Sequence, residues 1–285
     1  MTAQKKKEYN QKKNSAKGCN KKQEALEMTT IKERLEALRR LMKEKNIDAY
    51  LVPTDDFHGS EYVGDYFKCR KYITGFTGSA GTAVVTMDMA GLWTDGRYFI
   101  QAADQLQGST VELFKSGEPG VPTVHEFLAD KLQEGMCLGF DGRTVSAREA
   151  ETLKELLQKK NITFSVEEDL IGEIWDDRPE LSCEQVMELD IKWTGESRAS
   201  RIQKIRQQMK EKEADIFVLT SLDDIAWLLN IRGNDIHCCP VVLSYLVMTD
   251  TEIRLFTNAM AFPQKVREYL EADGVKFYPY DEVYT

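Results

Sequence analysis

The sequence predicts an α/β fold built from two successive domains. Short apolar runs typical of buried strands alternate along the chain with longer segments whose apolar residues recur at helical spacing. A length of 285 residues allows two compact domains with real cores. A polar stretch with a weakened pattern separates two halves, and each half opens with a helix followed by a strand. These observations favour two mixed sheets flanked by helices.

The first predicted domain covers residues 30–165 and begins with a helix that ends at Asn46. Thr30 can cap this helix, with Glu33 three residues later as in a capping box. Residues 69–76 are interpreted as a strand or an edge segment. The remaining elements alternate between the two types: strands at 49–53, 82–86, 91–94, 111–114 and 137–141, and helices at 98–105, 124–132 and 147–159.

A linker at 166–195 and a second domain at 196–285 follow. The linker contains the proline-broken polar run Asp176–Glu180. The second domain repeats the order of the first, with helices at 196–212, 223–229 and 263–272 and strands at 214–220, 241–248, 252–256 and 275–278. Two related domains in tandem would explain this recurrence, although a helix followed by a strand is also a common arrangement.

The pairs Ile47-Asp48 and Ala214-Asp215 stand between the opening helix and strand of the two halves. This is a recurrence of order rather than of residues.

The charge of the chain is unevenly distributed. Eight lysines and three glutamates among residues 1–30 give a net charge of +5, whereas the whole chain carries −9 and residues 31–285 therefore carry −14. We expect residues 1–29 to be a disordered basic leader, with a nucleic-acid or membrane arm as the alternative. The acidic body argues against nucleic acid as a partner. No apolar run approaches a membrane span, so we expect a cytoplasmic protein without a membrane partner.

The residues that usually hold metals are sparse. The chain has three histidines and six cysteines, with no His-Glu-x-x-His and no Cys-x-x-Cys pattern. The pattern indicates neither a disulfide framework nor a zinc site, and it is consistent with a reducing compartment. We therefore predict no metal site and no catalytic residue in this chain.

Arg97 and His58 are the candidate substrate-binding residues. Arg97 follows the Asp95-Gly96 turn at a strand end, where its guanidinium could bind a peptide carbonyl or carboxylate. A salt bridge with Asp95 or Glu61 is the alternative for Arg97. His58 neighbours Asp55 and Asp56, and a structural role is its alternative.

Several blocks together resemble the three-domain form of aminopeptidase P, the Xaa-Pro aminopeptidases of peptidase family M24. The resemblance covers about residues 30–285 and includes HGSEY at 58–62, GFTGSAGTA at 75–83, WTDGRYF at 93–99, QAA at 101–103, IWDDRPE at 174–180, LDDIAWLLNIRGND at 222–235, and residues 240–245. It implies two tandem creatinase N-terminal-like domains. It also implies that Arg97 contacts a peptide with proline at the second position, and that the protein forms a homodimer.

In this family a third, pita-bread domain holds two Mn²⁺-like ions through two Asp, one His and two Glu, and a bridging water attacks the bond before proline. Nothing up to Thr285 matches those ligand blocks. We therefore expect the C-terminal catalytic domain to be absent, the second domain to be truncated, and this chain alone to be inactive. The alternative is a stand-alone non-catalytic module that binds peptides or dimerises. A weaker third reading is an independent hydrolase that uses local residues such as His58.

Overall fold

The computed structural model describes residues 31–285, which divide into two compact units. The first unit consists of residues up to Thr54 together with Lys68–Arg178, and the second of Asp55–Phe67 and Pro179–Thr285. The predicted basic leader at 1–29 and the predicted cap Thr30 lie outside the described residues. No helix within residues 31–285 is long and apolar enough to cross a membrane.

The described residues of the first unit form six strands and six α-helices, most of which alternate along the chain. The strands are β1 (Ala49–Val52), β2 (Thr82–Thr86), β3 (Ala90–Thr94), β4 (Val111–Lys115), β5 (Cys137–Gly139) and β6 (Thr163–Ser165). The helices are α1 (31–44), α2 (Cys69–Thr74), α3 (Phe99–Gln105), α4 (Val124–Lys131), α5 (Ala147–Leu157) and α6 (Leu170–Ile174).

The six strands form one mixed sheet in the order β4-β3-β2-β1-β5-β6. β2 pairs antiparallel with β1 and β3, and the remaining neighbours are parallel. Both faces of the sheet are covered: one core includes Leu35, Leu38 and Met42 of α1, and the other includes Phe127 of α4 and Leu153 of α5. The predicted mixed α/β fold is thus confirmed for this half.

The prediction of a strand or edge segment at residues 69–76 is wrong, because these residues begin with helix α2. The helix ends at Gly75, which adopts φ 78° and donates from its backbone N–H to the carbonyl of Lys71. Ile73 is fully buried, so packing in the first unit overrides the weak local pattern.

The second unit contains four helices and six strands. The helices are α7 (Ile191–Thr194), α8 (Arg198–Glu211), α9 (Leu222–Leu229) and α10 (Gln264–Glu271). The strands are β7 (Met187–Glu188), β8 (Phe217–Leu219), β9 (Ile231–Arg232), β10 (Ser244–Met248), β11 (Ile253–Thr257) and β12 (Val275–Tyr278). The larger sheet has the order β12-β11-β10-β8, with β11 and β12 parallel and the other neighbours antiparallel. β7 and β9 form a separate antiparallel pair.

The unit boundaries differ in two places from the predicted domain ranges. Helix α6 falls inside the predicted linker, yet its Leu170 and Ile171 are buried in the core of the first unit, and the units divide between Arg178 and Pro179. Residues 55–67, which the predicted first domain includes, belong to the second unit. We name this segment the strap.

The strap belongs to the second unit because its aromatic residues find their core there. Phe67 is buried in a cluster with Tyr245 of β10 and Phe256 of β11, and Phe57 packs against the same cluster. The hydroxyl of Tyr245 also donates a 3.0 Å hydrogen bond to the carbonyl of Phe57. One face of the second sheet is thus covered partly by chain that precedes the boundary at Pro179.

Candidate functional site

Arg97 lies in a tight turn between β3 and α3 of the first unit. Asp95 organises this turn, because its Oδ1 accepts hydrogen bonds from the backbone N–H of Arg97 at 3.0 Å and from its Nε at 2.8 Å. Oδ2 of Asp95 accepts from Nη2 of Arg97 at 2.8 Å. The guanidinium is therefore held in the paired geometry that fits a carboxylate, while 68% of the Arg97 side chain is exposed.

The pairing with Arg97 stabilises the negative charge of the Asp95 carboxylate. The Arg97 side chain and its backbone N–H stabilise the carboxylate and lower the pKa of Asp95 to about 2. The guanidinium carbon of Arg97 also lies 5.2 Å from the centre of the Tyr98 ring. Of the two ion-pair alternatives from the sequence, the structure shows the pair with Asp95.

The glycine-rich block GFTGSAGTA lies beside this turn. Ser79 and Tyr98 are joined by a 2.7 Å hydrogen bond between their hydroxyl groups. Thr77 accepts at its hydroxyl from the side-chain amides of Gln101 and Gln105, at 2.9 and 2.8 Å. These contacts fasten the block to α3 and place a polar surface next to Arg97.

Arg70 shapes the same block from inside the first unit. It is 4% exposed, and its guanidinium donates to the carbonyls of Phe76 and Gly78 and to the hydroxyl of Thr54. Burial lowers the pKa of Arg70 to about 10. A side chain at Gly78 would stand 2.3 Å from the Phe76 ring, so only glycine fits this close approach.

His58 lies in the strap of the second unit and makes hydrogen bonds through both ring nitrogens. Nδ1 donates to the carbonyl of Thr220 at 2.9 Å, because a carbonyl can only accept. In the neutral ring Nε2 then accepts from the hydroxyl of Tyr280 at 2.6 Å. The ring also packs against Tyr245 with the ring centres 4.3 Å apart.

The two aspartates before His58 also organise the strap. Asp56 is 2% exposed, and its Oδ1 accepts from the backbone N–H groups of His58 and Ser60 at 2.8 and 3.0 Å. Burial raises the pKa of Asp55 to about 6, and the hydrogen bond that Asp55 accepts from the backbone N–H of Asp56 opposes this rise. These contacts favour the structural alternative for His58, and they bring His58 together with Asp56. Arg97 belongs to the first unit and His58 to the second, so each is described within its own unit.

The described residues do not offer a site for a pair of metal ions. Across residues 31–285 no three His, Cys, Asp or Glu side chains converge in a way that could hold a metal. The ligand set expected for a two-metal peptidase therefore does not fit the part of the chain that the structure describes.

Sequence reasoning missed the roles of Arg70 and Tyr280. The sequence did offer a signal for Arg70: this cation lies in a short segment with the apolar residue Ile73, just before a glycine-rich block. No local signal marks Tyr280, because its partner His58 is 222 residues away in sequence.

Comparison with known protein families places both halves of the chain. Residues 34–171 and 177–285 each match the creatinase/prolidase N-terminal domain. Aminopeptidase P2 of Arabidopsis thaliana is 40% identical over 274 residues, which cover 94% of this chain and 38% of that protein. A probable Xaa-Pro aminopeptidase P of Laccaria bicolor is 41% identical over 254 residues, covering 88% of this chain and 39% of the relative.

A solved structure agrees with these relatives. The crystal structure of X-prolyl aminopeptidase from Caenorhabditis elegans, a cytosolic enzyme with a di-nuclear active site, is similar with a TM-score of 0.83 and 37% identity. The similarity covers 90% of this chain and 43% of that enzyme. The chain thus spans about two fifths of the length of the proteins it matches. It belongs to the creatinase/prolidase N-terminal family, and its two domains correspond to the N-terminal part of the aminopeptidase P proteins.

Proposed function

We propose that this chain is the substrate-facing and assembly part of an Xaa-Pro aminopeptidase. The activity of the whole enzyme is metal-dependent release of the N-terminal residue from peptides with proline at the second position. The observation that carries this proposal is the similarity over 90% of the chain, at a TM-score of 0.83, to an X-prolyl aminopeptidase.

Arg97 is the residue through which this part acts on the substrate. Its guanidinium is exposed, and Asp95 and Tyr98 hold it at the surface before a ligand arrives. A pre-positioned guanidinium binds a carbonyl or carboxylate with less loss of side-chain entropy than a mobile one. We propose that Arg97 binds the peptide substrate. Binding of the peptide by His58 stays a prediction. Both ring nitrogens of His58 already have hydrogen-bond partners in the second unit, and a peptide would have to replace one of them.

In the whole enzyme, residues outside the described range 31–285 would hold the metal ions. The similar enzyme of Caenorhabditis elegans has a di-nuclear active site, and we propose two manganese ions for the whole enzyme here. We further propose a homodimer in the cytoplasm, in keeping with the cytosolic description of that relative. Residues 31–285 lack a convergent ligand set, so the chain alone is expected to be inactive.

The experiment that tests this function joins the full chain to the part of the Caenorhabditis elegans enzyme that it does not match. The fusion is assayed with Mn²⁺ and a peptide that has proline at position two, and the chain alone serves as the blank. We expect cleavage before proline by the fusion only. A fusion that folds, binds manganese and still leaves the peptide intact would refute the proposed function and favour a stand-alone binding module.

The role of Arg97 is tested in the same fusion with a matched control. Arg97→Gln removes a paired charge-assisted contact worth about 1.5–3 kcal/mol, so kcat/KM should fall about 10–150-fold. Arg254→Gln is the control, because Arg254 also pairs with a carboxylate two residues earlier, Glu252, and is 49% exposed. Equal effects of the two substitutions would remove Arg97 from the substrate site.

A further inference from the structure

The two large sheets differ at the strand that follows the opening helix of each unit. In the first unit β1 is an inner strand, paired antiparallel with β2 on one side and parallel with β5 on the other. In the second unit β8 pairs antiparallel with β10, and its other side is the edge of the sheet. An edge strand offers backbone N–H and C=O groups to a further strand.

β8 is the counterpart of β1 in local structure as well as in order. In the first unit a residue with positive φ, Asn46 at 57°, ends the turn after α1, and Ile47 donates to the carbonyl of Met42 at 2.8 Å. In the second unit Glu213 at 52° ends the turn after α8, and Ala214 donates to the carbonyl of Met209 at 2.9 Å. Asp48 and Asp215 follow at the same position in the two units.

We propose that the open edge of β8 is a docking site for a parallel β-strand, and that Asp215 binds the backbone of that strand. The incoming strand comes from the region that the aminopeptidase P relatives have beyond the part matched here, which in the enzyme of Caenorhabditis elegans is the portion outside the covered 43%. The source of the strand rests on the proposed function, whereas the docking edge follows from the contacts of the second unit.

Asp48 shows what an aspartate at this position does. Its backbone N–H donates to the carbonyl of Cys137 at 2.9 Å, and its Oδ2 accepts from the N–H of Cys137 at 2.8 Å. This pair of bonds fixes the start of β5 beside β1. The side chain of Asp215 is exposed, and neither its carboxylate nor its N–H has a hydrogen-bond partner within residues 31–285.

The side chains of the edge strand also lack the cover that β1 has. Ala49 and Leu51 are 0% and 4% exposed in the first unit, where α4 and α5 pack over them. Ile216 and Val218, their counterparts, are 61% and 55% exposed. A groove of about 990 Å³ runs along Ala214–Ile216, between the end of α8 and the turn at 249–251. Apolar side chains beside an open strand edge favour the addition of a strand whose own polypeptide also covers those side chains.

The geometry favours a parallel strand from other polypeptide over a second copy of β8. Two copies of one strand related by a two-fold axis pair antiparallel. The bonds of Asp48 to Cys137 belong to a parallel ladder, because β1 and β5 run in the same direction. An aspartate at the start of β8 is therefore placed for a parallel neighbour.

The test follows amide exchange by NMR in the full chain, alone and with the unmatched portion of the Caenorhabditis elegans enzyme added as a separate polypeptide. Thr249 donates to Glu252 and no ladder bond joins Thr220 to Tyr245, so the hydrogen-bonded pairs between β8 and β10 are Phe217–Met248 and Leu219–Leu246, and the N–H of Val218 faces the open edge. The N–H of Asp215 is the counterpart of the Asp48 N–H that bonds Cys137, so the amides of Asp215 and Val218 report on the open edge. We expect their exchange to slow at least about tenfold when the polypeptide binds. Asp215→Ala should weaken binding about tenfold. Asp215→Asn, which keeps an acceptor oxygen, should recover part of it, and Asp250→Ala, at an exposed carboxylate in the same groove, should leave it unchanged.

The other outcomes overturn the proposal. Binding without slowed exchange at Asp215 and Val218, or equal effects of the substitutions at Asp215 and Asp250, would place the contact elsewhere and leave the proposed function standing. Slowed exchange that depends on the concentration of the chain alone would identify a second copy as the occupant. Absence of binding also overturns the docking site, and the proposed function is then decided separately by cleavage with the fusion.

Discussion

Replacing His58 with alanine separates a structural role of this residue from a role in substrate binding. The substitution removes the 2.9 Å bond to the carbonyl of Thr220 and the 2.6 Å bond to the hydroxyl of Tyr280. It also removes the packing of the imidazole ring on Tyr245, at 4.3 Å between ring centres. These three partners belong to the second unit, so the loss of these contacts should destabilise that unit.

The magnitude follows from these contacts. Each hydrogen bond contributes about 1 kcal/mol net, and the aromatic contact adds about 0.5–1.5 kcal/mol. Because His58 is only half-buried, water replaces part of the lost bonding, and we expect a loss of about 2 kcal/mol in the free energy of unfolding of the second unit.

Unfolding in urea is monitored through the amide hydrogen exchange of β10. This measurement reports on the second unit and does not assume one transition for the whole chain. Tyr280→Phe should cost about 1 kcal/mol, and the double variant should show coupling between the two residues. His125→Ala is the control, because His125 makes only an exposed 2.7 Å pair with Glu149, worth at most about 1 kcal/mol. An effect of His58→Ala no larger than that of His125→Ala would refute the structural reasoning.

Three further predictions concern pH and stability. Burial raises the pKa of Asp55 from its usual 3.8 to about 6, so the stability that the protonated carboxyl contributes is present at low pH and is lost as the pH rises through about 6. In Asp55→Asn, the urea midpoints measured from pH 4 to 7.5 should no longer show this loss. Arg201→Met should destabilise the second unit by about 2–4 kcal/mol in urea unfolding, because Arg201 is 4% exposed and donates to the carbonyl of Trp227. In native-state hydrogen exchange, residues 196–285 should be less protected than residues 31–165, since β8 has an open edge; equal protection would contradict this.

The sequence was sufficient to predict the fold class because strand and helix patterns are local. The apolar run at Ala49–Val52 and the helical spacing of Leu35 and Leu38 predict elements that the structure contains, since all these residues are buried. Helix α2 escaped prediction, because its six residues carry too short a pattern and its buried Ile73 and Arg70 gain their partners only in the folded unit. Residues 31–285 contain the predicted mixed sheets in both units.

The candidate site could be predicted only where its contacts are close in sequence. Arg97 and its partner Asp95 are two residues apart, and both the turn and the ion pair were within reach of sequence reasoning. His58 and Tyr280 are 222 residues apart, and no local pattern connects them. The role of the strap in the second unit therefore could not be predicted, although its residues were singled out.

The sequence by itself determined the α/β class, the family resemblance and the turn that carries Arg97, because these depend on neighbouring residues and on short blocks. Tertiary structure alone decided that the strap packs in the second unit, that Arg70 supports the glycine-rich block, and that β8 lies at an edge while β1 does not. The physical reason is that burial and strand pairing depend on contacts between distant segments. Asp48 and Asp215 follow equivalent turns, and their different environments are set by the strand that stands beside only one of them.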